Sequence, residues 1–346
     1  MKRRDDGTID PTWVAEEAIS RLEDAPNAEA RQVGELMVTA IKLIEDGLDL
    51  GQLKLLNRAM KEMRYSYKVF NDYPDVRKVS IFGSARTPED HPDYRSAHTF
   101  GKKLAEHGWM SITGAGDGIM KAGHEGPTRE ASFGLRIRLP FETSANDVIE
   151  GDPKLINFRY FFTRKLMFVS NSDAIVVYPG GFGTQDELFE SLTLIQTGKS
   201  EIMPVILLQG EDVDYWQRWE LGITDNLLER GWISPEDPGL YYIAPDEESA
   251  IEHIMRFYRR FHSSRYVHDR FVMRIKQPLQ ESQVAELAKE FDSIIKPGSL
   301  EQSGPLKGEK TQLDLTRLHF SHRRYSFGTL RRLIDRVNEF PMENTE

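Results

Sequence analysis

Three times between residues 79 and 184, a short run of β-forming residues ends in a glycine-bearing turn. The runs are Val79-Ser80-Ile81-Phe82-Gly83, Met110-Ser111-Ile112-Thr113-Gly114, and Ala174-Ile175-Val176-Val177-Tyr178 followed by Pro179-Gly180-Gly181. Helical patterns are read over 94–107, 119–125, 161–170 and 187–197. Two more strands are expected at 134–139 and 204–208. Strands that alternate with helices form a parallel sheet covered on both faces. Ligands of such sheets bind at the C-terminal ends of the strands.

Helical spacing also marks the N-terminal region. Val33, Leu36, Met37, Ala40, Ile41 and Ile44 form one run, and Leu53, Leu56, Met60, Met63 and Tyr67 a second, ended by Tyr73-Pro74. After residue 255 a small α+β appendage is expected. Its strands are read at 270–275 and 313–320 and its helices at 282–291 and 329–340, with 296–310 as a Gly/Pro/Lys-rich loop. The expected domains are 1–74, 75–255 and 256–346.

Composition excludes several classes. With 39% hydrophobic and 29% charged residues, the chain is not a disordered or collagen-like sequence. No apolar run approaches the ~20 residues of a membrane-spanning helix, and no secretory signal follows Met1. The absence of cysteine removes disulfides, zinc–thiolate sites and thiol nucleophiles. These features lead to the expectation of a cytoplasmic protein with no membrane partner. A net charge of −10 disfavours specific nucleic-acid binding. Residues 256–339 nevertheless hold 17 basic against 10 acidic side chains. That surplus suits a solvated basic face, or an anionic regulator bound there.

The glycine turns place free N–H groups at helix starts, which favours phosphate. No turn carries the Lys-Ser/Thr of a P-loop, and Gly83-Ser84-Ala85-Arg86-Thr87-Pro88 lacks the later glycines of a dinucleotide fingerprint. Thr184-Gln185-Asp186-Glu187 has two readings. It is the pattern of a capping box at the start of a helix. It equally sets Glu187 in a first helical turn facing a phosphate site. Arg164-Lys165 suits a solvated face or an anion clamp. The nine histidines show no ligand spacing, so no metal is expected. His124 reads as packed or solvated, and His262, His319 and His322 as surface residues.

Arg164-Lys165 and Pro179-Gly180-Gly181-Phe182-Gly183-Thr184-Gln185-Asp186-Glu187 together resemble the LONELY GUY (LOG) family, whose signature is Arg-Lys followed by Pro-Gly-Gly-x-Gly-Thr-x-x-Glu. The resemblance covers residues 77–210 and implies a Rossmann-like fold. It also implies cleavage of a nucleoside 5′-monophosphate into free base and ribose 5-phosphate, without a cofactor. By resemblance, Glu187 and Arg164 are the catalytic pair. Substrate phosphate and ribose fall to Gly180, Gly181, Gly183, Thr184, Gly83, Ser84, Thr113, Gly114, Gly116, Gly118 and Lys165. Where small cytokinin-activating members have Met-His, this chain has Phe161-Phe162, which favours a purine nucleotide such as AMP. Ala115 and Asp117 depart from the family's usual second turn, Gly-Gly-Gly-Pro-Gly. Base recognition is expected from loops such as 141–157. Family sites near subunit interfaces imply a homo-oligomer, dimer or higher. The alternative is a nucleotide or molybdenum-cofactor carrier on the same fold. The family's older decarboxylase label would require a Schiff-base lysine, for which Lys165 is the one candidate beside the motif.

Overall fold

The computed structural model describes residues 10, 13–14, 16–18, 20, 27–139 and 144–342. The first three positions of the expected 141–157 recognition loop lie outside the described residues. The chain divides into two compact units, Met1–Lys61 and Glu62–Glu346. The first holds α1 (Asn27–Glu45) and the start of α2 (Leu50–Phe70). Asp49 and Gln52 cap α2 reciprocally: Gln52 N–H donates to Asp49 Oδ1 at 2.9 Å, and Asp49 N–H to Gln52 Oε1 at 3.0 Å. Among the described residues, no helix is long and apolar enough to cross a membrane.

The second unit is built on seven strands: β1 (Lys78–Phe82), β2 (Met110–Thr113), β3 (Ser132–Ile137), β4 (Leu155–Phe158), β5 (Ala174–Val177), β6 (Val205–Leu207) and β7 (Tyr241–Ile243). Their order is β4-β3-β2-β1-β5-β6-β7, and every pair is parallel. The connecting helices are α3 (Pro92–Glu106), α4 (Ile119–Glu125), α5 (Phe161–Ser170), α6 (Phe182–Gln196), α7 (Tyr215–Ile223) and α8 (Glu247–Phe257). β1, β2, β5 and β6 are buried at every position. β5 and β6 accordingly read as unbroken apolar runs, whereas β1 and β2 also bury the small polar residues Ser80, Ser111 and Thr113. The Rossmann-like α/β expectation stands, with two added strands. β4 overlaps the end of the 141–157 stretch read as a loop, and β7 is only three residues long.

β1 pairs with β2 on one side and with β5 on the other. The chain therefore changes direction across the sheet at β1 and β5, and a crevice opens beyond their C-terminal ends.

The appendage is an antiparallel sheet ordered β10-β11-β9-β8. Its strands are β8 (Phe261–Val267), β9 (Arg270–Ile275), β10 (Glu301–Ser303) and β11 (Thr316–Ser321), with α9 (Glu281–Glu290) and α10 (Phe327–Glu339) beside them. Phe271 pairs with Phe320 and Met273 with Leu318 on its buried face. Three expectations are corrected here. β8 was not anticipated. The 296–310 stretch contains β10, and it also carries Glu309, which receives Arg317 Nε at 2.8 Å and Arg274 Nη2 at 3.1 Å and also pairs with Arg265. Burial works against the charge of Glu309, but its hydrogen bonds hold its pKa at about 2. His319 and His322 are buried, and burial pushes both imidazoles down. Much of the segment's positive charge is answered internally. Arg270 pairs with Glu301 and Arg256 with Glu339, and buried Arg260 donates to the carbonyls of Gln277, Pro278 and Pro341.

Candidate functional site

At the switch point, the ends of β1 and β5 are laced together. Tyr178 N–H donates to the Phe82 carbonyl at 2.8 Å, and Ser84 N–H to the Pro179 carbonyl at 3.1 Å. The Ser84 carbonyl then accepts Ile119 N–H, the first of α4, at 3.1 Å. A cavity of about 870 Å³ opens over these turns. Gly83, Ser84, Gly114, Arg164, Gly180, Gly181, Gly183, Thr184 and Glu187 all line it. Thr113, Gly116, Gly118 and Lys165 are not in the lining.

Each glycine has a distinct local reason. A Cβ on Gly180 would lie 2.2 Å from Thr184 Oγ1, and one on Gly83 would lie 2.6 Å from Ile119 Cγ2. Gly118 adopts φ +61°, and a Cβ there would lie 2.4 Å from the Ser84 carbonyl oxygen. Gly181 and Gly183 differ, since a Cβ on either meets nothing within 4 Å. Their bareness leaves open space on the cavity side.

α6 begins at Phe182 with Gly181 as its N-cap, and no side chain caps it. Thr184 is therefore the third helical residue, and Glu187 stands in the second turn rather than the first. The capping box is not formed. The N–H groups at the head of α6 are left for a ligand or solvent.

Glu187 is 6% exposed. Burial raises its pKa to about 7, opposed by the positive charges of Lys165 and Arg164. Lys165 Nζ pairs with Asp186 at 2.7 Å and Glu190 at 2.8 Å, binding α5 to α6 beside Glu187. Burial disfavours its charge, but those carboxylates outweigh it and hold the ammonium protonated. A lysine so held does not fit the Schiff base that a decarboxylase would need. The Arg164 guanidinium lies 5.2 Å from the Phe161 ring centre and 5.7 Å from that of Phe168.

The helix bearing Arg164 has no cap of its own, since Tyr160 offers no side-chain bond. Glu62 instead braces the residues at its start. Its carboxylate accepts Arg159 N–H at 2.9 Å and the Thr163 hydroxyl at 2.7 Å. The second glycine turn is braced in a similar way. Ala115 sits at φ +62°, where a glycine would be at ease. Its N–H donates to Thr113 Oγ1 at 3.1 Å, and its carbonyl accepts Asn146 N–H at 2.9 Å. Asn146 Nδ2 donates to the Gly116 carbonyl at 2.9 Å and lies 3.2 Å from His124 Nδ1. His124 Nε2 faces the Phe133 carbonyl at 3.0 Å. His124 is wholly buried, and burial pushes its pKa down, so it is a neutral structural group.

Glu62, Asn146, Gln185 and Tyr215 were missed as contributors. Gln185 and Tyr215 both line the cavity. Tyr215 had one usable signal, an aromatic opening a helix just after a strand of the same sheet. Glu62 had none, lying 97 residues from Arg159.

The family model described as "Possible lysine decarboxylase" matches residues 114–254. The probable cytokinin riboside 5′-monophosphate phosphoribohydrolase LOGL2 of Oryza sativa subsp. japonica is 27% identical over 52% of this chain and 73% of its own length. The cytokinin riboside 5′-monophosphate phosphoribohydrolase LOG3 of Arabidopsis thaliana is 25% identical over 52% of this chain and 83% of its own. Among solved structures, the molybdenum cofactor carrier protein of Chlamydomonas reinhardtii aligns with 52% of this chain and 97% of its own, at 21% identity and a TM-score of 0.37. Through its central domain, the chain is similar to proteins of the LOG family.

Proposed function

We propose that the protein hydrolyses the N-glycosidic bond of a nucleoside 5′-monophosphate, releasing free base and ribose 5-phosphate. The observation that carries this reading is the position of buried Glu187 and half-buried Arg164 in the same cavity as the bare glycines at the head of α6. The relatives' names support the same reaction class. The 5′-phosphate sits on the free N–H groups around Gly181 and Gly183, anchoring the ribose by contacts remote from the reacting bond. As the C1′–N bond breaks, its electron pair leaves with the base and positive charge grows on the ribose ring. The Glu187 carboxylate stabilises that charge and accepts a proton from the attacking water, whose oxygen bonds to C1′. The departing base takes up a proton, which balances the hydrolysis. Arg164 holds the sugar hydroxyls or Glu187 in place. No cofactor enters this scheme.

The base rests on the apolar wall that includes Met120, Ile137 and Phe161. We assign a purine, AMP first, because such a wall favours the larger ring. Phe161, Phe162 and Leu166 are exposed on α5 beside the cavity. That apolar face suits contact with a second copy in a homo-oligomer. The experiment is quantification of free base from a panel of nucleoside monophosphates, with Glu187→Gln alongside. Release abolished by the substitution supports the reading, and release unaffected by it overturns the assignment of Glu187.

A further inference from the structure

One chain of hydrogen bonds behind the glycine turn has a direction fixed by chemistry. Trp219 Nε1–H donates to Gln185 Oε1 at 3.0 Å. Gln185 Nε2–H donates to the Tyr215 hydroxyl oxygen at 2.9 Å. The Tyr215 O–H donates to the Gly180 carbonyl at 2.8 Å. An indole N–H can only donate, so the Gln185 amide must turn its oxygen toward Trp219 and its nitrogen toward Tyr215. The tyrosyl hydrogen is thereby left to the Gly180 carbonyl. The Trp219 ring is itself wedged edge-on against Trp216 and Tyr241, with centroids 5.7 and 5.3 Å away.

The receiving peptide is the one that matters for an anion. A trans peptide is planar, so fixing the Gly180 carbonyl fixes the Gly181 N–H in the opposite direction. Among the described residues, no hydrogen bond joins the N–H of Gly181, Phe182 or Gly183 to the rest of the chain. Gly180 and Gly181 have little steric restraint of their own on this plane. Without an external hold, the plane is free to rotate.

We propose that Tyr215, oriented by Gln185 and Trp219, is a positioning residue that sets the Gly180–Gly181 peptide plane for binding the substrate phosphate. This rests on the phosphate role given above to the head of α6. Tyr215 acts through the backbone, so it governs affinity for the phosphate rather than the bond-breaking step.

The test uses the full-length chain and ribose 5-phosphate as probe, with affinity read by titration calorimetry. Tyr215→Phe removes only the hydroxyl. Gln185→Glu keeps the size, but its carboxylate can only accept, so it draws the tyrosyl hydrogen away from Gly180. Trp219→Phe releases the amide without adding charge. All three should weaken ribose 5-phosphate by about tenfold, raise KM for the monophosphate in step, and leave kcat within about threefold. Unchanged affinity in Tyr215→Phe and Trp219→Phe, or a loss confined to kcat, would overturn the proposal, as would a wild-type chain that does not bind ribose 5-phosphate. A wild-type chain that binds ribose 5-phosphate but releases no base contradicts the hydrolase reading alone. The affinity series would still decide the role of Tyr215.

Discussion

Ser84 donates its N–H to the Pro179 carbonyl at 3.1 Å, two residues beyond the last sheet pair of β1 and β5, Phe82 with Val177. This bond holds two glycine turns side by side at the point where the sheet reverses its order. The crevice over them is where an open parallel sheet binds ligands. The candidate site is thus a consequence of strand order, and the side chains of α5 and α6 give it its chemistry.

Gly180 and Gly181 should respond in opposite ways to alanine. The methyl of Gly180→Ala would strike Thr184, with contacts of 2.2 and 2.7 Å, so it should lower the melting temperature. Gly181→Ala meets nothing in the chain itself and should melt like wild type. It should still weaken ribose 5-phosphate by about tenfold, since its methyl enters the space a phosphate needs. Melting curves and calorimetry on both variants check this. Equal melting losses would contradict the account of the turn.

The raised pKa of Glu187 makes two pH predictions. Between its ordinary 4.5 and about 7, the native carboxyl keeps a proton that the unfolded chain has released. Its contribution to stability is therefore present at low pH and lost as pH rises through that window, by about 3 kcal/mol in all. Glu187→Gln does not titrate. Its melting temperature should rise relative to wild type between pH 5 and pH 8, and a constant difference would contradict the assigned burial cost. Activity should run the other way. If the carboxylate is the reactive form, kcat/KM climbs about tenfold per pH unit below 7 and flattens above it.

The alternation of short β-forming runs and helices made the parallel sheet legible, because a strand buried on both faces leaves a continuous apolar trace at β5 and a β-rich run ending in glycine at β1 and β2. β4 and β7 were illegible for the converse reason. Leu155-Ile-Asn-Phe158 and Tyr241-Tyr-Ile243 are short edge strands, set by pairing with β3 and β6 rather than by their own composition. The cavity lining was legible where its residues are consecutive, as in Gly180–Glu187. The capping-box pattern was ambiguous because the helix start, not the spacing, decides it. Helix α6 began two residues before Thr184. Glu62 and Tyr215 reach their partners from 97 and 35 residues away, and no local pattern encodes such contacts. The excess charge of 256–339 suggested a basic surface. The fold instead sets arginines such as Arg317 and Arg260 inside, against Glu309 and backbone carbonyls.

Ala115 provides a test of backbone strain. Its left-handed conformation costs about 1 kcal/mol relative to glycine. Its methyl packs with Ala145 and Ile149, and that burial is worth about 0.8 kcal/mol. Ala115→Gly should therefore change stability by less than about 0.5 kcal/mol. Ala115→Val adds branching at positive φ and bulk facing Gly134, so it should lose about 2 kcal/mol or more. Chemical denaturation of both variants checks the pair.

Glu62 links α2 to the helix of Arg164. Glu62→Ala would remove the acceptor for Arg159 N–H and the Thr163 hydroxyl and should cost about 2–3 kcal/mol. Because Thr163 adjoins Arg164, base release should fall along with stability. Glu62→Gln keeps one good acceptor and should lose less on both counts. Denaturation and turnover measured on the same preparations test the link. Full turnover in a destabilised Glu62→Ala chain would separate the Glu62 brace from the role of Arg164.

The central claim is that a 5′-phosphate held at the head of α6 enables cleavage at C1′ by way of Glu187. The most direct measurement compares AMP with adenosine on the wild-type chain, quantifying adenine and ribose 5-phosphate together. The account predicts equal amounts of both products from AMP, little or no adenine from adenosine, and none from either with Glu187→Gln. Tight AMP binding without adenine release would contradict it and return the protein to the carrier reading. Equal release from AMP and adenosine would contradict the role given to the glycine turn.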